Sequence, residues 1–123
     1  MKYTAAVITV SDMGSRGLRQ DTSGPAVRAM LEEAGFSVAH TAILPDEMEQ
    51  ISAELRDCAD RRRIDLIVTT GGTGLSPRDV TPEATRAVLE REIPAIPVAM
   101  WMEGLKVTPR AMLSRAVAGI RGC

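Results

Sequence analysis

The sequence predicts one α/β domain over residues 1–123, in which helices cover both faces of a mostly parallel sheet to give three layers. The chain length is that of one compact domain, and 45% hydrophobic with 25% charged residues is ordinary for a globular protein. Apolar strand-like segments alternate with helical patterns, an order typical of parallel sheets with crossover helices. The first such segment, YTAAVITV, is apolar at nearly every position, as in a strand that is buried on both faces.

The first two strands and the helix between them follow from the spacing of apolar residues. Tyr3–Val10 is the predicted central strand. After the polar segment Ser11–Gly24, apolar residues recur at helical spacing, and Pro25 suits the first turn of this helix. Gly35 is placed to end the helix, and Phe36–Leu44 then has the pattern of a second strand.

The middle of the chain repeats the same order. A helix is predicted from Glu47 to Arg62, because its apolar residues recur at helical spacing. Leu66–Thr70 is the third predicted strand, and the loop Gly71–Val80 follows it directly. Thr81 is predicted to begin the next helix by accepting a hydrogen bond from a free backbone N–H.

The pattern weakens beyond Glu92, because several prolines and Gly104 divide the chain into short pieces. We predict a short helix around Pro97–Glu103. We also predict a strand near Arg115–Ile120, which follows the last of these interruptions.

Composition and charge restrict the classes of partner. A formal net charge of -1 and one residue each of Trp, Tyr and Phe offer little to neutralise phosphates or to stack on bases, so we predict no nucleic-acid partner. The longest apolar stretches, such as Ala5–Val10 and Ile93–Met100, are too short to span a bilayer. Met1 leads into a strand pattern without a signal peptide, so we expect no membrane partner and a cytoplasmic location.

Neither the cysteines nor the histidine suggest a site. Cys58 and Cys123 have neither metal-ligand nor redox-motif spacing, and we predict that both are free thiols. His40 is the only histidine, and its strand pattern contains no cysteine and no second histidine with which to share a zinc ion. We therefore predict no histidine-based catalysis.

The segment after the third strand combines glycines with threonines. Gly71, Gly72 and Gly74 allow backbone N–H groups to approach an anion closely, and the hydroxyls of Thr70 and Thr73 add donors. A tight turn is the structural alternative, but the position before a helix start favours a phosphate site. The spacing matches neither a Walker A motif nor a dinucleotide-binding fingerprint.

Two aspartates are expected at the same edge of the sheet as this loop. Asp46 follows the second strand and Asp79 precedes the helix start, and either one alone is explained by the preference of aspartate for turns. Together they would repel a phosphate unless a hard cation lay between them, so we predict bound Mg²⁺. Arg78, and also Arg16 or Arg19, are candidates to pair with the remaining phosphate charge, although each has a solvated surface role as its alternative.

Six blocks of the sequence resemble, in the same order, the molybdopterin-binding (MoaB/Mog) family. Together they cover almost the entire chain, which makes the match more specific than one short motif. The blocks are Val7–Asp12, Asp21, Leu44–Glu47, Thr69–Gly74, Arg78–Thr85 and Pro109–Arg115. The resemblance implies a compact α/β domain that assembles as a homotrimer.

The resemblance further implies a molybdopterin adenylyltransferase of molybdenum cofactor biosynthesis. Such enzymes transfer AMP from ATP to the terminal phosphate of molybdopterin, release pyrophosphate and hand the product to a partner that inserts molybdate. The family's functional aspartates match Asp46 and Asp79, to which we assign Mg²⁺ binding and nucleotide positioning rather than proton abstraction. Gly71–Gly74 matches the segment that receives the phosphate-bearing ligand. Other positions that line the cleft match Ser11, Asp12 and Ser114.

The end of the chain departs from the family pattern. Family members continue past the segment matching Ala118–Gly122 into another strand, a loop and a closing helix, whereas this sequence stops at Cys123. We therefore expect an unpaired sheet edge and uncovered apolar surface. Either a partner subunit shields this surface, or the protein is a shortened version of the fold. Two alternatives to the enzyme stay open: a non-catalytic protein that binds molybdopterin or a precursor, and a trimeric scaffold.

Overall fold

The structure is a computed structural model that describes residues 2–122. Its elements follow the predicted alternation of strands and helices. The strands are β1 (Thr4–Val10), β2 (Ser37–Leu44), β3 (Leu66–Thr70), β4 (Arg91–Glu92) and β5 (Gly119–Ile120). The helices are α1 (Asp12–Ser15), α2 (Ser23–Glu33), α3 (Met48–Arg56), α4 (Thr81–Arg86) and α5 (Ala95–Leu105). A π-helical turn (Asp57–Arg61) follows α3, and a 3-10 turn (Pro109–Leu113) follows α5.

β1 lies at the centre of a parallel sheet with the strand order β2-β1-β3. On one face of the sheet, Ile8 and Val10 of β1 pack in a buried cluster with Ile51 of α3 and residues of α4. On the other face, the Thr9 hydroxyl donates to Asp21, which lies just before α2. The predicted three-layer arrangement, with helices on both faces of a parallel sheet, is therefore confirmed. β1 is continuously apolar because both of its faces are covered.

The helix predicted over residues 47–62 is shorter as an α-helix. It begins at Met48 and ends at Arg56, after which the chain widens into the π-helical turn. The Arg62 N–H donates to the Asp57 carbonyl, five residues earlier, at 3.0 Å. The Asp57 carboxylate accepts hydrogen bonds from Arg61 and Arg62, so these arginines bind a side chain at the helix end.

The prediction that Thr81 caps α4 is wrong. Val80 occupies the cap position, and Thr81 is the first helical residue, with Pro82 beside it in the first turn. The Thr81 backbone N–H donates to the Gly72 carbonyl at 3.1 Å, so the loop itself supplies the acceptor at this helix end. The Ser52 hydroxyl donates to the Ala84 carbonyl at 2.8 Å and joins α3 to α4 in the core.

The last third of the chain differs most from the prediction. The short helix is longer than expected and extends over Ala95–Leu105. The strand expected near residues 115–120 is reduced to Gly119–Ile120, which pairs antiparallel with the unpredicted strand β4. The segment before β5 leaves the sheet because the Arg115 N–H donates to the Thr73 carbonyl at 2.8 Å. Within residues 2–122, β3 has a neighbour on one side only, as expected for an open sheet edge.

A polar cluster lies between β2 and α3, far along the strand from its carboxyl end. His40 Nε2 and Glu54 Oε1 are 2.6 Å apart, and Cys58 Sγ lies 3.9 Å from the same carboxylate oxygen. The polar atoms of His40, Glu54 and Cys58 thus lie within 4.8 Å of one another, although the three residues come from a strand, a helix and the turn that follows it. Cys58 is free and buried, as predicted for this thiol, whereas Cys123 lies outside the described residues. Over residues 2–122, each helix is too short or too polar to cross a bilayer.

Candidate active site

The predicted site residues lie in three loops at the carboxyl ends of the parallel strands. Ser11 directly follows β1, Asp46 lies shortly after β2, and Gly71 directly follows β3. Parallel strands end at the same edge of a sheet, so these loops meet. The Ser11 N–H donates to the carbonyl of Leu44, the last residue of β2, at 2.8 Å and joins the first two loops.

Asp12 and Asp46 hold these two loops together. The Asp12 N–H donates to Asp46 Oδ2 at 3.0 Å, and the Asp46 N–H donates to Asp12 Oδ1 at 2.9 Å. Ser11 Oγ accepts a hydrogen bond from the Gly14 N–H at 3.0 Å and thereby caps α1. Ser11 and Asp12 thus lie at the predicted cleft, where their polar atoms fix the loops.

The glycine loop needs glycine for two separate reasons. Gly71 and Gly72 have φ angles of 97° and 71°, a left-handed region that other residues rarely adopt. A Cβ atom on Gly71 would lie 2.2 Å from the carbonyl oxygen of Val10. A Cβ atom on Gly72 would lie 2.2 Å from Thr81 Oγ1 and 3.1 Å from Asp46 Oδ1. The loop backbone therefore runs in contact with both β1 and the start of α4.

The backbone N–H groups of this loop are available to a ligand. Within residues 2–122, the N–H groups of Gly71 to Gly74 make no hydrogen bond to another backbone group or to a side chain. Gly71 is exposed and the next three residues are half-buried. Consecutive unpaired N–H groups form a concave nest of positive partial charge that suits an anion.

The two predicted aspartates both approach this loop. Asp46 Oδ1 approaches Gly72, while Asp79 Oδ2 lies 2.9 Å from the position of a Cβ atom on Gly74 and accepts the Ser76 N–H at 2.9 Å. Burial raises the pKa of Asp46, and the negative charges of Asp12 and Asp79 raise it further against the lowering effect of its backbone hydrogen bond. The structure therefore brings the two carboxylates and the glycine loop to one edge of the domain.

Arg78 lies at the site but is already paired. Its guanidinium binds Asp12 through two hydrogen bonds, Nε to Oδ2 at 3.0 Å and Nη2 to Oδ1 at 2.9 Å, and Nη2 also lies 3.0 Å from Glu47. Arg78 keeps the pKa of Asp12 below its usual value. The guanidinium was predicted to meet phosphate, yet in this structure it joins the glycine loop to the first two loops. Arg16 and Arg19 are exposed beyond α1.

Arg115 holds the glycine loop in place, a role that the sequence reasoning missed. Its guanidinium donates to the carbonyl of Gly74 at 2.8 Å, to the carbonyl of Asp79 at 2.6 Å and to Glu83 at 2.6 Å. With its backbone N–H on Thr73, it contacts both ends of the loop. Its position at the end of a block shared with the MoaB/Mog family was the one available signal.

The family described as a probable molybdopterin binding domain matches residues 6–123 of this chain. That match extends over nearly the whole sequence and includes all three loops of the site. The chain belongs to this family. The resemblance inferred from the sequence blocks is confirmed.

Named relatives agree with this membership. The domain is 42% identical over 117 residues to a molybdopterin adenylyltransferase of Helicobacter pylori, a match that covers 94% of this chain and 66% of the relative. It is 44% identical over 123 residues to the molybdenum cofactor synthesis protein cinnamon of Drosophila melanogaster, covering 97% of this chain and 20% of that protein. The domain thus spans less than two thirds of the length of these curated relatives.

Solved structures show the same fold. The crystal structure of the molybdopterin biosynthesis enzyme MoaB from Thermus thermophilus superimposes with a TM-score of 0.92 at 52% identity, covering 98% of this chain and 76% of that one. A molybdopterin biosynthesis protein from Mycobacterium abscessus gives 0.93 at 41% identity, covering 98% and 75%. The molybdopterin-binding domain described here therefore shares its three-layer architecture with proteins of molybdenum cofactor biosynthesis.

A cavity of about 740 Å³ opens beside β3 of the molybdopterin-binding domain. Its lining includes Thr70, Gly71, Thr73 and Ser114, all of which were predicted to bind substrate. The cavity runs along the open edge of β3, where its walls combine apolar residues with two charged side chains. It therefore coincides with the uncovered edge of the sheet.

The aspartates fit a hard divalent cation. Within residues 2–122, Asp46 Oδ1 and Asp79 Oδ1 accept no hydrogen bond from the protein, which leaves one carboxylate oxygen on each residue for a further ligand. Mg²⁺ is commonly bound through one or two carboxylates together with substrate phosphates. The donor set of the molybdopterin-binding domain therefore matches the predicted ion in ligand type.

Proposed function

We propose that this domain binds molybdopterin and, with Mg²⁺, transfers AMP from ATP to its terminal phosphate. The observation that carries the proposal is the nest of unpaired N–H groups at Gly71–Gly74 between the carboxylates of Asp46 and Asp79. Acidic side chains beside an anion site are unfavourable unless a cation accompanies the anion. A metal-bound polyphosphate provides an anion for the backbone amides and a cation for the carboxylates.

The transfer needs no nucleophile from the protein. An oxygen of the pterin phosphate attacks the α-phosphorus of ATP, a new phosphorus–oxygen bond forms, and the bond to the β-phosphate breaks with its electron pair leaving on pyrophosphate. Catalysis then consists of holding the reacting groups in line and stabilising charge on the leaving group. The Gly71–Gly74 amides supply fixed donors for phosphate oxygens.

Asp46 and Asp79 act by position and charge. They would hold Mg²⁺ through their free carboxylate oxygens, and the ion would neutralise charge on the transferring phosphates. Proton abstraction is not required of either residue, because the terminal phosphate of the pterin is already ionised at neutral pH. Arg78 remains bound to Asp12 and keeps the three loops in register.

Two asparagine variants test this assignment. We expect Asp46→Asn and Asp79→Asn each to lower pyrophosphate release by on the order of 100-fold, in an assay with ATP, Mg²⁺ and molybdopterin. Asp57→Asn is the matched control, because within residues 2–122 that half-buried carboxylate pairs with Arg61 and Arg62 alone, away from the glycine loop. Thermal unfolding of all variants separates loss of function from loss of fold.

The outcomes distinguish the enzyme from its alternatives. Turnover unchanged in the Asp46→Asn, Asp79→Asn double variant would contradict the roles given to both residues. Molybdopterin binding by calorimetry without pyrophosphate release would leave a binding protein. Absence of binding to either ligand would leave only a scaffold.

We further propose that the domain works as a homotrimer in the cytoplasm and passes its product to a molybdate-inserting enzyme. Helix α5 supports self-association, because Val98, Met100 and Met102 are 44%, 57% and 64% exposed on a mostly apolar helix. A cytoplasmic location agrees with the use of ATP. Light scattering of the purified protein tests the assembly, and a monomer at micromolar concentration would contradict it.

A further inference from the structure

The hydroxyl of Thr81 is buried without a partner. Thr81 is 2% exposed, and within residues 2–122 its Oγ1 atom makes no hydrogen bond. Its backbone groups are both satisfied, since the N–H donates to Gly72 at 3.1 Å and the carbonyl accepts the Thr85 hydroxyl at 2.7 Å. A buried hydroxyl that lacks a partner destabilises the folded state by the cost of its lost hydration.

Local structure does not account for this residue. The first-turn position of Thr81 does not use its side chain as a cap, because Val80 is the cap residue. Valine has nearly the same shape as threonine and would fill the site without an unsatisfied polar atom. Packing alone therefore does not require the hydroxyl, since a methyl group would fill the same space.

The unpaired oxygen faces the glycine loop. A Cβ atom on Gly72 would lie 2.2 Å from Thr81 Oγ1 and 3.1 Å from Asp46 Oδ1, so both oxygens border the same point of the loop. Thr81 also lines the cavity beside β3, together with Gly71 and Thr73. The loop N–H groups beside it are donors without acceptors.

We propose that the Thr81 hydroxyl is a phosphate-binding donor that completes the nest formed by the N–H groups of Gly71–Gly74. A phosphate oxygen held by these amides would accept a hydrogen bond from the hydroxyl, a partner that no protein group among residues 2–122 supplies. The contact requires a small shift of Gly72 away from Oγ1, and glycine accommodates such a shift more readily than other residues. This inference rests on the proposed function and adds a side-chain donor to its phosphate site.

Calorimetry with the nucleotide tests the contact directly. We expect Thr81→Val to weaken MgATP binding by about tenfold or more, the loss of one hydrogen bond to a charged group. The same variant should unfold at an equal or higher temperature than the wild type, because the unpaired hydroxyl is gone. Thr81→Ser should retain most of the affinity. Thr81→Ala provides the same loss of the hydroxyl if valine cannot be accommodated.

Thr85→Val is the matched control, because it removes a hydroxyl from the same helix that binds only the Thr81 carbonyl. Its MgATP affinity should stay within about twofold of the wild type. Binding of Mn²⁺ alone, followed by electron paramagnetic resonance, should be the same in the wild type and in Thr81→Val.

Three results would overturn the inference. Equal MgATP affinity in the wild type and Thr81→Val contradicts the phosphate contact while leaving the proposed function intact. Equal weakening of MgATP and of Mn²⁺ alone makes the hydroxyl a metal ligand instead of a phosphate donor. A wild-type protein that binds no MgATP overturns this inference together with the proposed function.

Discussion

Replacing Arg115 tests whether the glycine loop is held from outside. The guanidinium donates to the carbonyls of Gly74 and Asp79 and to the Glu83 carboxylate, all at 2.6 to 2.8 Å. Arg115→Met keeps much of the aliphatic stem and removes all of these bonds. We therefore expect the variant to lose stability and to hold the loop less firmly.

The size of the effect follows from the number of bonds and their exposure. Hydrogen bonds that involve a charged group contribute about 1.5–3 kcal/mol each when they are protected from water. The Arg115 side chain is 35% exposed, so water replaces part of what is lost. We expect a total loss of about 2 kcal/mol, which lowers Tm by about 8 °C in a domain of this length.

Differential scanning calorimetry measures the stability of the variant, and titration with MgATP measures whether its glycine loop still binds phosphate. MgATP affinity should fall by about tenfold, because the amides of an unclamped loop must be ordered on binding. Arg115→Lys should recover only part of both losses, since an ammonium lacks the forked geometry. Arg28→Met is the control, because Arg28 makes an exposed ion pair with Glu32 on α2. A Tm for Arg115→Met equal to that of the control would contradict the role of Arg115 in holding the glycine loop.

Three further predictions concern single groups. In urea unfolding, Gly71→Ala should destabilise the domain by about 2 kcal/mol more than Gly35→Ala. Both residues have positive φ (97° and 101°), but only a Cβ atom on Gly71 would meet the last carbonyl of β1. Equal losses of stability would contradict this prediction. Burial raises the pKa of Cys58 to about 11. In a Cys123→Ser variant, the Cys58 thiol of the native protein should therefore react with a disulfide reagent far more slowly than the same thiol in the urea-unfolded protein. Equal reaction rates in the two states would argue against burial. The pKa of Asp46 is raised, so its protonated form persists to higher pH than in an ordinary aspartate. Because Mg²⁺ competes with that proton, the Mg²⁺ affinity should rise with pH and level off above the pKa of Asp46. A flat profile of Mg²⁺ affinity from about pH 4 to pH 7 would contradict metal binding at this residue.

The sequence was sufficient to predict the parallel sheet and the edge at which the candidate site residues meet. β1 is continuously apolar because both faces are covered, and this pattern alone indicates a central parallel strand. The carboxyl ends of parallel strands meet, so Asp46 and Gly71 could be placed at one edge before any coordinates were known. These predictions depended on topology, which a regular alternation of strands and helices specifies well.

Pairing between side chains was much harder to predict. Arg78 was predicted to meet phosphate, and that prediction stays open, but its pairing with Asp12 and Glu47 was not foreseen, because it depends on the short helix α1 that positions Asp12. Arg115 was placed in a strand, yet its segment leaves the sheet to bind the glycine loop. Both unforeseen pairings are long-range contacts in irregular segments, where residue spacing does not determine which charged groups meet.

The pairing of the two arginines bears on how an acidic cleft could bind a polyanion. Arg78 and Arg115 both form hydrogen bonds with protein groups, so the donors left at the loop are the backbone amides and, by our inference, the buried Thr81 hydroxyl. These donors carry no full charge, whereas Asp46 and Asp79 do. If the proposed function holds, a phosphate that arrives without a cation would be repelled, and one that arrives with Mg²⁺ would be bound. We therefore expect the site to favour metal-bound nucleotide over free phosphate through charge alone.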